Sequence, residues 1–558
     1  MSPFDYDIVI LGSGMGGSLT AILCRAIGLR VLMVEKDDHP RFVIGESVTG
    51  EVMRRLDYLA RRYNVPFLVQ LSSYSRIKRA GLPIATWPRT HGTFVWHEEG
   101  KRVDSTDPQE IVQQASVWPL GPDAHVYRPD FDLFLKNSAV ERGVSYLPNT
   151  EAVSYRFVAS SGSAITLNTR GAAPRTVTCR LLIDATGPAC WLSRELGHFR
   201  DDSRDVPMAS ATVFAHFRNV RKWEDVLGAR PMMFPRDHGT VLHVGAHGML
   251  WVIPFDNGIT SVGWVTSDTL PPDQDAETLF WETVRSRPSL GELMADARAV
   301  TRFHRIDRVQ YSTERIAGDG WFLLPASAEF SDPLFSVGLS LTLSSISRLM
   351  LCIEKGDPAR PILAADLAGL EESFQLESKY IRKYTKATKR CFLNFALLHR
   401  AISLSRLFFF REGGYVGAST DPEPAVAAAW GVDDENIRGL IDEFHDRVMA
   451  IDFSKAIPDS TFTNLDEIIG RWDTDGFTET TYGRMRADRV YLNSIPRMMD
   501  YFWKARRHPL GLGKISGFLR VSRRWVESFR SITAGKGASS LPFVPGLIRD
   551  QIRALVQR

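Results

Sequence analysis

The pattern of apolar and polar positions divides the chain into three stretches. Residues 6 to 11, "YDIVIL", form an apolar run with the length of a buried parallel strand. "SLTAILCRAIG" continues at helical spacing and stops at Gly28, and "RVLMVE" is a second short strand ending in Glu35. "CRLLIDATG" (179 to 187) is another buried strand. From 205 to 320 short runs such as "ASATVFAHF", "GMLWVIPF" and "GITSVGWV" alternate with polar turns, which predicts an antiparallel sheet. From about 365 the period turns helical, starting with "LAGLEESFQLESKYIRKYTKATKR", and few strand signals follow.

Between the first strand and its helix stands Gly12-Ser13-Gly14-Met15-Gly16-Gly17. Strand, GxGxxG, helix, strand and acid in that order are a dinucleotide-binding fingerprint. Gly12 permits the tight turn, Gly14 lets a pyrophosphate approach the backbone, and Gly17 lets helix and strand pack closely. The helix N-terminus faces the phosphates and Glu35 binds a ribose diol. The fingerprint alone does not separate NAD from FAD. Directly behind it comes "PRFVIGES", with Arg41, Gly45, Glu46 and Ser47. Gly45 lets backbone come close to a flat ring, and Glu46 and Ser47 are expected to open the next helix, satisfying its free N–H groups.

Composition narrows the class. With 558 residues the chain exceeds one ordinary core, and a net charge of +3 is too small to argue for nucleic acid. Five scattered cysteines without a CxxC pair disfavour a disulfide framework or zinc site and fit a reducing cytosol, so a cytoplasmic location is expected. Acids precede the first apolar run, which argues against a signal peptide. The late apolar segment "CFLNFALLHRAISLSRLFFF" is interrupted by His399, Arg400 and Arg406, too early for a membrane span. His243, His247 and His304 lack partners at ligand spacing, so no metal is expected. Lys504 to Arg558 holds twelve Lys or Arg against Glu527 and Asp550. It reads as a docked helix with a basic face, or as a contact surface for an acidic carrier protein or anionic lipid.

These motifs together resemble the flavin-dependent halogenases, over roughly residues 5 to 350. "PRFVIGES" resembles the family segment that follows the ribose-binding acid and borders the flavin. "VYRPDFDLFLKNSAVERGV" resembles the helix whose arginine, here Arg128, lies near the cofactor. "CRLLIDATG" resembles the second dinucleotide contact, implying Asp184 and Gly187. "FSDPLFSVG" resembles the turn passing the isoalloxazine ring, which implies Asp332, Pro333 and Gly338 at the cofactor and the backbone of Ser336, Val337 and Gly338 at a halide. "GMLWVIPF" resembles a strand whose tryptophans line the tunnel between flavin and substrate, here Trp251 with Met249 at the first position.

The chain also departs from the family. The halogenation lysine of "KxGxTFxW" is matched by Arg89 in "RTHGTFVW"; Lys78 lies upstream in "RIKRAG" and reads more readily as a surface charge. The family's "GDAA" is here Pro325-Ala326-Ser327-Ala328, as in a branch that carries "LP".

The resemblance implies an α/β fold. A Rossmann-like FAD-binding domain of the glutathione-reductase and p-hydroxybenzoate-hydroxylase type would take 1–200 and 312–362. A β-sheet substrate-side domain would take 72–125 and 201–311, and a C-terminal helical cap 363–558. It implies a halogenase using FAD reduced by a separate flavin reductase, O2, and chloride or bromide, on an electron-rich small molecule that is free or carrier-bound, in secondary metabolism. Catalytic roles would fall to Arg89, Lys78 and Trp251. A flavin monooxygenase on the same scaffold, and a flavoprotein that has lost halogenation, remain open beside it.

Overall fold

The computed structural model describes residues 4–106, 108–114, 123–159, 162–200, 210–228, 235–418 and 428–472. The basic segment 504–558 lies outside the described residues.

The first sheet runs Ala317–Gly318, Trp321–Leu323, Arg175–Asp184, Tyr6–Leu11, Val31–Val34, Ser145–Leu147, and all but the first of these pair in parallel. Its strands are apolar on both faces because helices cover them, Met15–Ala26 among them. Their register aligns the carboxyl ends: Leu11 pairs with Val34 and Asp184, Asp184 with Leu323, and Val34 with Leu147. In an open parallel sheet ligands bind beyond that edge.

The second sheet runs Arg298–Ala299, Ala211–Arg218, Thr260–Thr266, Gly248–Pro254, Gly239–Gly245, His91–Trp96, Glu110–Gln114. One register row crosses it: Ile111, Phe94, Leu242, Trp251, Gly263, Phe214. Paired residues share a face, so this row is one side of the sheet, here called the front. The front packs on the C-terminal helices Ala364–Arg390, Phe395–Ala418, Glu435–Met449 and Asp459–Trp472, in one core that includes Tyr384, Phe392 and Trp430. The alternate positions His91, Thr93, Val95 and His243 form the back.

The segment 72–125 is divided. Tyr74–Arg79 is a helix, His91–Trp96 and Glu110–Gln114 join the second sheet, and Thr86–Arg89 pairs with Asp123–Val126, which also pairs Ser47–Val48, in a small third sheet. The apolar helix Val337–Lys355 passes through the nucleotide-side core, where Leu343, Ile346, Leu349 and Met350 are buried.

His91, His97, His125 and His243, in or beside the second and third sheets, are buried. Burial pushes His91 and His97 down to about 3, and pushes His125 and His243 well below the usual imidazole range. His97 and His243 share a hydrogen bond of 2.9 Å. The folded chain therefore keeps these rings neutral, while the unfolded chain protonates them near pH 6.5. Unfolding takes up protons below that pH, so this stability is complete above about 6.5 and is lost as pH falls toward 3. Chemical denaturation at pH 7 and pH 5.5 should show a clear loss at the lower pH. A flat profile would mean that these rings titrate in the folded chain as they do in the unfolded one.

Candidate active site

The nucleotide end is built by close backbone contacts. Gly12 has φ +99°, and a Cβ there would lie 2.4 Å from Ala185 O. A Cβ at Gly17 would lie 2.0 Å from Gly12 O. These two glycines close the turn onto its own strands. Gly14 differs, since a Cβ there would meet only Arg41 Nη2 at 3.3 Å and Asp132 Oδ2 at 3.5 Å. It is the N-cap of Met15–Ala26 and makes no side-chain cap bond, and the helix has no acid in its first turn. A helix N-terminus and a guanidinium thus converge at one glycine, which suits a pyrophosphate. Glu35 is buried and accepts hydrogen bonds from Ser13 N and Ser13 Oγ, both at 2.9 Å. Burial pushes its carboxyl up, but Arg41 and the Ser13 and Asp37 N–H groups together hold it below the usual range.

Asp184 stands at the end of its strand with its oxygens engaged by Thr186 N at 2.8 Å, Thr186 Oγ1 at 2.7 Å and Leu192 N at 2.8 Å. Burial raises its carboxyl against these bonds. It shapes the loop and does not present a free carboxylate. Gly187 N donates to Ser327 Oγ at 2.8 Å. Ser327 thus ties "PASA" to the second dinucleotide contact, a residue that sequence reasoning passed over.

"PRFVIGES" spans the two sheets. Arg128 Nη1 donates to Ile44 O at 3.2 Å and Gly45 O at 3.1 Å, while its Nε and Nη2 grip Asp132 at 2.8 and 3.0 Å. Gly45 has φ +95°, a conformation glycine adopts without strain. Phe42 stacks on His304 with centroids 4.4 Å apart, and His304 stacks on Phe214 of the front row. Glu46 does not cap a helix. The N-cap of Gly50–Arg62 is Thr49, and Glu46 Oε1 instead bonds His216 Nε2 at 2.7 Å, with both side chains buried. Ser47 also lies before the helix, in a strand pair with His125. Glu46 Oε2, Ser47 Oγ and Arg41 Nε are buried without partners. Three such orphaned polar atoms, beside the open approach at Gly14, fit a bound FAD.

The ring turn follows. Asp332 Oδ1 accepts from Leu334 N at 3.0 Å, and Ser336 N donates to Pro333 O at 3.1 Å. Ser336 takes φ +56° and caps Val337–Lys355. Its amide is therefore engaged within the turn. Val337 and Gly338 keep the unpaired first-turn N–H groups of the helix. A Cβ on Gly338 would meet nothing within 4 Å.

On the front, Trp251 lies over Gly263, where a Cβ would come within 2.2 Å of the indole, and its Nε1 donates to Ser261 Oγ at 3.1 Å. Met249 is buried on the same face. Arg89, its side chain 13% exposed, is paired with Asp123 at 3.2 Å; burial pulls its guanidinium down and Asp123 opposes the shift. Lys78 is 49% exposed and bonds Asp256 at 2.6 Å, which raises it. Asp256 also accepts from Thr86 N, so Lys78 stands at the start of the strand that ends in Arg89.

Gly14→Val is expected to fold, because only side-chain tips face the new methyls, yet to weaken FAD binding about 100-fold or more through lost phosphate contacts. Gly17→Ala is expected to lower the melting temperature of the FAD-free protein as well, since backbone stands in the way. Flavin fluorescence titration beside apo-protein melting separates the two. FAD affinity unchanged in Gly14→Val would remove this turn from the cofactor site.

The FAD binding domain family model matches residues 5–323. The tetracycline 7-halogenase of Kitasatospora aureofaciens is 31% identical over 63% of this chain and 64% of its own length. The monodechloroaminopyrrolnitrin halogenase PrnC of Pseudomonas fluorescens is 31% identical over 62% of this chain and 60% of its own. The chain thus spans less than two thirds of either relative. A crystal structure of halogenase PltM superposes with a TM-score of 0.75, covering 85% of this chain and 98% of that one at 25% identity. With its fingerprint and the family model's match over more than half its length, the chain belongs to the FAD-binding-domain family, and the halogenases above are proteins it is similar to.

Proposed function

We propose that this protein is a flavin-dependent halogenase acting on an electron-rich small molecule, free or held on a carrier protein. The observation that carries the reading is the ring turn: a left-handed Ser336 opens an apolar helix whose first N–H groups lie beside open space at Gly338. FAD bound here, reduced by a separate flavin reductase, supplies with O2 the oxidising power to turn chloride or bromide into hypohalous acid. The chain's residues do the rest. Val337 and Gly338 amides hold the halide. Trp251, partly exposed on the front, offers its indole to an aromatic substrate, with Phe214 and Phe94 buried as apolar backing. Arg89 donates hydrogen bonds to the oxidant and, being a guanidinium, does not lose a proton to it. All five cysteines are free, which supports work in a reducing cytosol. The monooxygenase reading draws its support from Arg89, which stands where the resembling family carries a reactive amine.

Arg89→Ala also removes an ion pair of the buried Asp123 and so lowers stability, so Arg89→Lys is the diagnostic partner variant. Arg89→Ala should abolish halogenated product with FAD still bound, and Arg89→Lys should restore it. Lys78→Ala should cost less than about tenfold, as expected for an exposed pair. Gly338→Leu should raise the halide concentration needed for turnover. Product analysis by mass spectrometry decides: hydroxylated product without halide transfers the protein to the monooxygenases, and undiminished halogenation in both alanine variants removes both residues from the chemistry.

A further inference from the structure

The ring turn carries a charge that an anion site would not choose. Asp332 is 4% exposed at its side chain and begins the turn that presents the Val337 and Gly338 amides. A carboxylate so close to a bound halide repels it, and a buried one does so with little screening. The structure supplies the countercharge from a distant part of the chain. Lys389, next to the last residue of Ala364–Arg390, is 6% exposed and its Nζ donates to Asp332 Oδ2 at 2.8 Å. Ser210 Oγ donates to the same oxygen at 2.9 Å and also meets Lys389 Nζ. Ser210 N is held by Gln310 Oε1 at 2.9 Å, and Gln310 Nε2 donates to Ser331 O at 2.9 Å. Three segments meet at this point: the second sheet, the ring turn and the C-terminal helices.

Resting on the halogenase reading, we propose that Lys389 is a positioning residue for the halide. It neutralises Asp332 and fixes the turn, so that the anion sees the helix N-terminus instead of a carboxylate. It touches neither flavin nor substrate in this role and acts through Asp332. The family model ends at residue 323, so both the turn and its partner lie outside the matched range.

A purely structural role and an electrostatic one predict different signs. Removing either partner of a structural pair damages the site. Removing one partner of a charge pair shifts halide affinity in opposite directions. Lys389→Met leaves Asp332 uncompensated and should raise the bromide concentration for half-maximal turnover about tenfold or more. Asp332→Asn keeps the oxygen that accepts from Leu334 N, leaves Lys389 uncompensated, and should lower that concentration by a similar factor. The double variant should return near the wild-type value, and Lys389→Arg should stay close to it. FAD affinity, measured by fluorescence, should change little in the lysine variants. Bromide anomalous diffraction from FAD-loaded crystals adds a readout independent of turnover, with a peak expected at the Val337 and Gly338 amides. A bromide requirement that rises in both single variants, or that does not move in a folded Lys389→Met, overturns the proposal. If Lys389→Met does not fold, the Asp332→Asn and double variants still give the sign. A wild-type protein with no bromide peak and no halide requirement overturns the halogenase reading and this proposal with it. A peak at the turn that keeps its affinity in every variant overturns only the role of Lys389.

Discussion

The hydrogen bond between Glu46 and His216 makes one body of two sheets. It joins residues 170 positions apart, and both side chains are out of water. One partner sits in the loop that leaves the nucleotide fingerprint, the other on the front of the second sheet. Phe42 on the same loop wedges against His304, Phe214 and His216. Arg128 pins the loop's other side through the Ile44 and Gly45 carbonyls. The nucleotide end of the first sheet is therefore continuous with the front of the second.

Charge is handled in the same manner throughout the interior. Arg128 with Asp132, Arg55 with Glu51, Arg348 with Glu377 and Lys389 with Asp332 are buried pairs, and Arg89 with the buried Asp123 is a largely buried one. Such pairs return little net stability, because desolvation offsets attraction, but they penalise every arrangement in which one partner is missing. Two of them, Arg348–Glu377 and Lys389–Asp332, join the helix Val337–Lys355 and its leading turn to the C-terminal helices. Glu377 also accepts from Ala429 N at 2.7 Å. The C-terminal helices are thus registered against the turn before Val337–Lys355 by charge as well as by apolar contact.

How much of this is legible in the sequence depends on chain distance. The fingerprint, the parallel strands and the antiparallel region are local patterns, and each falls where its periodicity puts it. Asp132 was within reach, since Arg and Asp four apart on a helix face each other. Glu46 is instructive in the other direction. An acid just ahead of a helix satisfies a local rule for capping, yet its partner is a histidine on another sheet, and no local pattern encodes that. Lys389 and Ser327 carry no signal either. Each looks like an ordinary polar residue until tertiary packing places it against Asp332 or Gly187. The fingerprint glycines show the converse, because the short distances at Gly12 and Gly17 are what the fingerprint demands of any residue there.

The place of Trp321–Leu323 has a consequence for synthesis. This strand pairs with Arg175–Asp184 at the core of the first sheet, and about 140 residues of other structure separate the two in the chain. On the ribosome the first sheet cannot be completed, nor its carboxyl-end row closed, until the second sheet has been made and residue 323 has emerged. Until then Arg175–Asp184 presents an unpaired apolar edge. The antiparallel hairpin Thr150–Val158 and Gly162–Thr169 already pairs with the amino-terminal half of that strand, from Arg175 to Cys179, and leaves the other half, Leu182 to Asp184, waiting. A nascent chain stalled before that point is an aggregation-prone intermediate, and flavin supplied early finds only half a site.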